Sequence, residues 1–463
     1  MDNFIGPPDF CARMRRLYGN QADALLAGNG PPARGLRVNT LKCSVKRFEE
    51  LWDGEAKPVP FCGEGFRVNP SFKAGADPLH HAGAYYMQEP SAMSAVTALA
   101  PLIGERILDL CAAPGGKSTQ IAAALRGQGL LWCNEYVRGR ARVLAQNIER
   151  CGVRNAVVSS ADAAALAGRL EGFFDGVLVD APCSGEGMFR KEPAALDQWS
   201  EDNIRLCAVR GRDILDAAAI MVRPGGRLVY STCTFAPEEN ECQIAAFLNR
   251  HPDFDLAAIE APFGRPGLPW DCVAAFSEGI EEPAADLTLC RRITPADGGE
   301  GHFVARLIRR GETAEHRDWL PVEPAVDSVG RQAEELYHTC FSDEPQGQFR
   351  LYGGQMRLLP LDLSLVLGLP MFATGIAVAE LCKNRLEPCH AAFMAAQAAD
   401  CRQLIDLKRC DERLSLFLKG QEIPVEGVQG WTAVAVEGIT VGFGKASGGR
   451  LKNRYPKGLR LLG

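Results

Sequence analysis

A chain of 463 residues is about three times a typical domain of roughly 150, so it has length for a large buried core. Hydrophobic residues at 46%, charged at 23% and aromatic at 8% describe an ordinary globular protein and exclude collagen, coiled coil and wholesale disorder. A formal charge of −6 argues against coating nucleic acid by bulk electrostatics and leaves any such contact to local basic patches.

The opening from Met1 to Pro8 lacks the basic start and apolar stretch of a secretory signal. No apolar run reaches the roughly 18 residues of a membrane span, so a cytoplasmic protein with no membrane contact is expected. In that reducing compartment the 17 scattered cysteines read as thiols rather than bridges. Residues 1–89 carry a basic, helix-compatible opening with Arg13, Arg15 and Arg16. A short alternating run about Arg34, Arg37 and Lys42 suits a strand. This pattern predicts a small α+β module with a basic face for RNA.

Residues 90–310 repeatedly follow a short apolar run with a helical pattern. Strands are predicted at 106–110, 130–135, 156–159, 176–180 and 227–231, with helices at 117–125 and 138–151. Alternating β and α over this length predicts an α/β fold with a doubly wound parallel sheet. Residues 311–326 have the charge and proline content of a linker, and the glycine-punctuated short strands of 327–463 predict a compact accessory domain.

The richest segment runs from Ile107 through Asp109, Cys111, Ala112, Ala113, Pro114, Gly115, Gly116 and Lys117. A strand ending in such a small-residue turn lets a ligand touch backbone, and the N–H groups opening the next helix attract electron-rich groups. It is not a Walker loop, because Cys111 stands where that motif needs glycine, nor a G-x-G-x-x-G turn. Glu135, twenty residues after Gly115, ends the next strand where doubly wound folds bind ribose hydroxyls. Asp162 and Asp180 follow at later strand ends. This acidic set suits adenosine carrying a small zwitterion, and S-adenosyl-L-methionine fits it better than NAD. For Asp109 and Asp162 the competing reading is a helix or turn cap.

Two thiols end neighbouring strands: Cys183 in Asp180-Ala-Pro-Cys-Ser-Gly, and Cys233 in Tyr230-Ser-Thr-Cys-Thr. A lone cysteine is usually core filler, but two at the ligand-binding edge suggest covalent chemistry, provided the thiolate is stabilised. The spacing does not order them. Cys382, Cys389, His390, Cys401 and Cys410 show no paired metal-ligand spacing and read as structural, so no metal is expected. His302 reads as packing and Lys191 as a solvated side chain.

These segments, with 37–42, 86–93 and 299–303, closely resemble the Nol/Nop/Sun family of RNA cytosine-5 methyltransferases over roughly residues 30–310. The resemblance implies a Rossmann-like S-adenosylmethionine-dependent core. It makes Cys233 the nucleophile at carbon 6 of cytosine, has Cys183 assist release, and sets Asp180 against the cytosine edge near the cofactor. It implies an RNA partner, 16S rRNA or the small ribosomal subunit, with transfer RNA or a non-catalytic ribosome-assembly role as alternatives. The C-terminal region resembles a PUA-like RNA-binding extension. There Lys445, Arg450, Lys452, Arg454, Lys457 and Arg460, interleaved by Tyr455, form an acid-free basic tail. Nothing demands more than a monomer.

Overall fold

The computed structural model describes residues 6–27, 31–312, 328–366, 368–383 and 385–461. The expected linker therefore lies almost wholly outside the described residues. A ten-stranded sheet forms the centre. Its parallel strands stand in the spatial order Val222–Thr232, Phe174–Asp180, Arg106–Asp109, Leu130–Asn134, Ala156–Ser159. These strands are almost entirely buried because helices cover both faces, which is why they appear as continuous apolar runs. Arg106–Asp109 pairs with Leu130–Asn134 on one side and Phe174–Asp180 on the other. The chain order reverses there, opening the crevice in which such sheets bind ligands.

His302–Arg309 adds antiparallel to Val222–Thr232, with Phe303 opposite Thr232, and so brings residue 302 to the same crevice. At the far edge Met371–Thr374 pairs antiparallel with Ala156–Ser159. The catalytic sheet thus takes a strand from beyond the linker, which a pattern-based boundary at 310 does not anticipate. Among the described residues, no helix is long and apolar enough to cross a membrane.

The N-terminal segment is divided between two cores. The Pro8–Tyr18 helix buries Phe10, Cys11, Met14 and Leu17 in the catalytic core, where Phe10 meets the Phe189 ring edge-on at 5.0 Å. Four strands between Gly35 and Met87 form a separate antiparallel sheet. Its Leu36, Val38 and Tyr85, with Phe48 of the Val45–Leu51 helix, share one hydrophobic cluster with Val434 and Val436 of the C-terminal sheet and Leu414 and Phe417 of the Glu412–Leu418 helix. The region after residue 327 builds two units. One is a four-stranded sheet from Gln348 to Pro388, and the other a five-stranded sheet from Leu404 to Asn453.

The basic N-terminal face forms only in part, with Arg15 and Arg16 exposed. Arg37 is 1% exposed, and Lys42 donates to Thr440 Oγ1 at 2.9 Å and to the Met394 carbonyl. Burial pulls the Lys42 amine down to about 7. Arg13 forms a two-pronged bridge to Glu238 at 2.7 and 2.8 Å. Tyr455 is likewise no exposed ring: it is 2% exposed, with its hydroxyl 3.0 Å from His81 Nδ1. The half-buried Trp431 takes that place, with Lys445 Nζ 5.0 Å and Arg454 Cζ 5.7 Å from its ring centre.

Candidate active site

The turn after the first central strand is braced on every side. Gly115 adopts φ +115°, a conformation open chiefly to glycine, and Gly116 starts the helix that runs to Leu125. Tyr86 Oη and Asn147 Nδ2 both donate to the Pro114 carbonyl, at 3.2 and 2.9 Å, and Arg140 donates to that of Ala113 at 3.0 Å. Arg37 reaches it from the N-terminal sheet, donating to the Gly116 carbonyl and to Thr119 Oγ1, each at 2.7 Å, and to Gln88. Arg37→Leu is expected to cost about 2–4 kcal/mol in urea unfolding, because several buried acceptors lose their donor at once. It should also weaken S-adenosylmethionine binding in calorimetry. Unchanged values in both would remove Arg37 from the turn's support.

Acidic groups gather around this turn. Asp109 is fully buried, and Ser118 Oγ donates to its Oδ2 at 2.6 Å. Burial pushes Asp109 up to about 7, and its Oδ1 has no partner among the described residues. Cys111 feels Asp109, Asp180 and Glu135, and burial together with these charges pushes its thiol far above the usual range. Ala112 N–H donates to the Asn134 carbonyl at 2.8 Å, tying the turn to the next strand end. Glu135 is 4% exposed, accepts from Val137 N–H at 2.9 Å and pairs with Arg140 at 3.2 Å. Asp162 stands apart: it is exposed and caps the Ala163–Ala167 helix, accepting from Ala164 N–H at 2.9 Å.

At the crevice floor Lys117 Nζ lies 2.7 Å from Asp180 Oδ2, while Ser231 Oγ donates to Oδ1 at 2.8 Å. Burial opposes the Asp180 charge, but the Lys117 charge and the hydrogen bonds from Lys117 and Ser231 outweigh it and hold the carboxyl below its ordinary range. His302 is the residue that sequence reasoning missed. Its Nε2 lies 4.0 Å from Asp180 Oδ1 and is buried without a hydrogen-bond partner among the described residues. Burial and the Lys117 charge pull this imidazole down to about 4, so it is neutral at pH 7. A β-strand's sequence shows that a side chain turns inward, not what it faces.

Cys183 and Cys233 come together, Sγ to Sγ, at 3.3 Å, and both are half-buried free thiols. The strand ends carrying them are neighbours, and Ala181 N–H donates to the Ser231 carbonyl at 2.9 Å. Gly187 N–H donates to the Cys233 carbonyl at 2.9 Å, and a Cβ on Gly187 would fall 2.9 Å from that oxygen, so this close approach requires glycine. Cys183 is held well above the ordinary thiol range by its contact with Cys233 and by burial. Lys191 is half-buried near Glu89 and Glu300, and burial lowers its amine, so it is not the solvated lysine expected. Among the described residues no His, Cys, Asp and Glu group of three or more could hold a metal ion.

The chain as a whole has relatives among known proteins. Residues 96–308 match the 16S rRNA methyltransferase RsmB/F family. Residues 7–90 match the N-terminal domain of 16S rRNA methyltransferase RsmF, and 406–461 the methyltransferase RsmF PUA domain. Ribosomal RNA small subunit methyltransferase F of Aliivibrio fischeri (strain MJ11) is 32% identical over 481 residues, covering 99% of this chain and 98% of its own. The protein of that name from Vibrio vulnificus (strain YJ016) is 32% identical over 484 residues, again covering 99% and 98%. A methyltransferase homolog from Pyrococcus horikoshii has a solved structure that aligns with a TM-score of 0.56 at 32% identity, covering 65% of this chain and 94% of that one. NSun6 from Pyrococcus horikoshii, solved with SFG, shares the fold with a TM-score of 0.54 at 22% identity, covering 67% and 100%. Matched in all three of its parts and along nearly its whole length, the chain belongs to the ribosomal RNA small subunit methyltransferase F family.

Proposed function

We propose that this S-adenosylmethionine-dependent rRNA methyltransferase modifies carbon 5 of a cytosine in 16S rRNA, working in the cytoplasm through a transient bond between Cys233 and the base. The observation that carries this reading is the pair of thiols 3.3 Å apart beside the Lys117–Asp180 ion pair. Carbon 5 of cytosine is too electron-poor to take a methyl group directly. The Cys233 thiol adds across the ring, its sulfur to carbon 6 and its proton to N3, giving an enamine whose carbon 5 is nucleophilic and dividing one difficult step into two. Asp180, kept ionised by Lys117, is suited to hydrogen-bond the cytosine edge as the ring gains electrons. Cys183, a neutral thiol at rest, is suited to give up its own proton to solvent once Cys233 is bonded to the ring and then to take the carbon-5 proton, after which the carbon–sulfur bond breaks and the Cys233 sulfur is released.

The residues present fit the methyl donor. Gly115 adopts φ +115° at the turn, Glu135 directly follows the next strand and suits a ribose contact, and Asp109 Oδ1 is a buried acceptor without a partner among the described residues. When bound, S-adenosylmethionine supplies a methyl group on positively charged sulfur. Its proposed contacts are Cys111 to Lys117, Glu135 and Asp180. Asp162 belongs to the set only through its cap, which orients the loop after the third strand. The deciding experiment transfers labelled methyl to naked 16S rRNA, assembled small subunits and tRNA, followed by bisulfite sequencing of the product. Label in 16S rRNA at one or more 5-methylcytosines is expected, and label only in tRNA or only on nitrogen would overturn the reading.

RNA must also be gripped outside the pocket, because the target base leaves its stack to meet a thiol. Deleting the C-terminal sheet is a poor test, since it shares a core with the N-terminal sheet. Trp431→Ala removes a base-stacking surface flanked by two cations and is expected to weaken RNA binding by about tenfold. S-Adenosylmethionine affinity should not move. Unchanged RNA affinity in a fluorescence titration would exclude this face.

A further inference from the structure

We propose that Glu239 is a positioning residue that clamps the two cysteine loops together only while it carries a proton. The inference rests on Cys183 and Cys233 being the working pair. Both oxygens of Glu239 engage Ser184, the residue after Cys183: Oε2 accepts from Ser184 N–H at 2.9 Å, and Oε1 lies 2.5 Å from Ser184 Oγ. Ser184 Oγ lies 2.7 Å from Thr234 Oγ1, the hydroxyl of the residue after Cys233. Thr234 Oγ1 lies in turn 2.9 Å from Glu186 Oε2. A line of four buried groups, Glu239, Ser184, Thr234 and Glu186, therefore runs from carboxyl to carboxyl behind the two thiols.

Counting hydrogens decides its protonation. The line contains three oxygen–oxygen contacts, and each needs one hydrogen. The two hydroxyls supply one apiece, so the third must sit on a carboxyl at one end. Burial raises Glu186 too, but it accepts from Trp199 Nε1 at 2.8 Å and from Phe235 N–H at 2.9 Å, and the Arg13 charge is close, so it is the better supported end for a charge. Glu239 has the poorer support. The groups acting on it most strongly are Glu186 from the Pro-Cys loop and Glu238 beside it, and it acts in turn on Cys183, on Cys207 of the Glu201–Met221 helix and on Tyr230 of the Val222–Thr232 strand; of the cations nearby, Arg13 is paired with Glu238 and Arg210 lies by Cys207. Burial, with the Glu186 charge adding to it, pushes Glu239 up to about 8.

As a neutral acid, Glu239 donates to Ser184 Oγ, Ser184 donates to Thr234 and Thr234 donates to Glu186, so every contact is made. Without that proton two hydrogens must serve three contacts. One link fails, and the loops lose part of what sets the thiols 3.3 Å apart.

Glutamine at this position reproduces the neutral acid at every pH, its Nε2 donating to Ser184 Oγ and its oxygen accepting from Ser184 N–H. Glu239→Gln is expected to keep kcat within about threefold of wild type at pH 7, whereas Glu239→Ala falls by about tenfold or more with KM for S-adenosylmethionine unchanged. A group titrating near 8 is only about 3% protonated at pH 9.5, so the ratio of Glu239→Gln to wild-type kcat should rise about tenfold or more between pH 7 and 9.5. A flat ratio, or a glutamine variant as impaired as the alanine variant, overturns the proposal. Ser184→Ala removes the hydroxyl between Glu239 and Thr234 and leaves both carboxyl residues in place. It should lower kcat and remove the fall above pH 8, and retention of both wild-type features also overturns the proposal. Cys233→Ala is assayed alongside: full activity there sinks the cysteine reading itself, while an inactive Cys233→Ala with a flat ratio sinks only the role of Glu239.

Discussion

Cys233→Ala is expected to lower methyl transfer to rRNA by on the order of 10⁴-fold or more, about 5.4 kcal/mol of barrier at 1.36 kcal/mol per tenfold. In the proposed mechanism carbon 5 is not activated without this sulfur, and its neighbour Cys183 Sγ is a neutral thiol on a different loop. The substitution leaves the scaffold intact. Cys233 is only half-buried, and its backbone contact, accepting from Gly187 N–H, does not involve the side chain. Stability should therefore change by about 1 kcal/mol or less. Calorimetric titration is expected to return an unchanged S-adenosylmethionine affinity, separating loss of chemistry from loss of binding. A folded variant keeping a tenth or more of wild-type turnover, measured by labelled-methyl incorporation, would end the assignment.

Cys183→Ala is expected to have the opposite signature, a protein–RNA species that survives a denaturing gel. In the resting enzyme the largest influence holding Cys183 protonated is its contact with Cys233, followed by burial. Once Cys233 sulfur is bonded to carbon that contact changes character. Cys183 can then release its proton to solvent and take the one on carbon 5, restoring the double bond as the carbon–sulfur bond breaks. Removing a positioned base slows such a step by about 10²–10⁴-fold, so turnover falls while the adduct accumulates. The double variant lacking both thiols should give no adduct. If Cys183→Ala turns over normally, or stalls without a trapped species, release does not depend on this thiol.

The catalytic sheet was legible because its parallel strands are buried on both faces and so stand out as short apolar runs between helical patterns. The turn from Cys111 to Lys117 and the two cysteine motifs were legible because their residue types are restricted by close backbone approach and by chemistry. Glu135 could be placed by its spacing from Gly115. Charge and aromaticity misled where their environment mattered. Arg37 and Lys42 have the look of a basic surface, yet both lie inside, one bracing the Gly115–Gly116 turn and the other joined to the C-terminal region. Tyr455 looked like a stacking ring, but it is buried against His81, and Trp431 stands between the cations instead.

The sequence alone determined which segments become strands, helices and turns, since those choices follow from local periodicity and backbone freedom. It also determined the repertoire of reactive groups. Only the tertiary structure decided their neighbours: Met371–Thr374 on the sheet edge, His302 beside Asp180, and the line of hydroxyls and carboxyls behind the thiols. Each of these joins residues far apart in the chain. Their meeting is set by packing and by the need to satisfy buried polar atoms, and neither leaves a mark at any one position of the sequence.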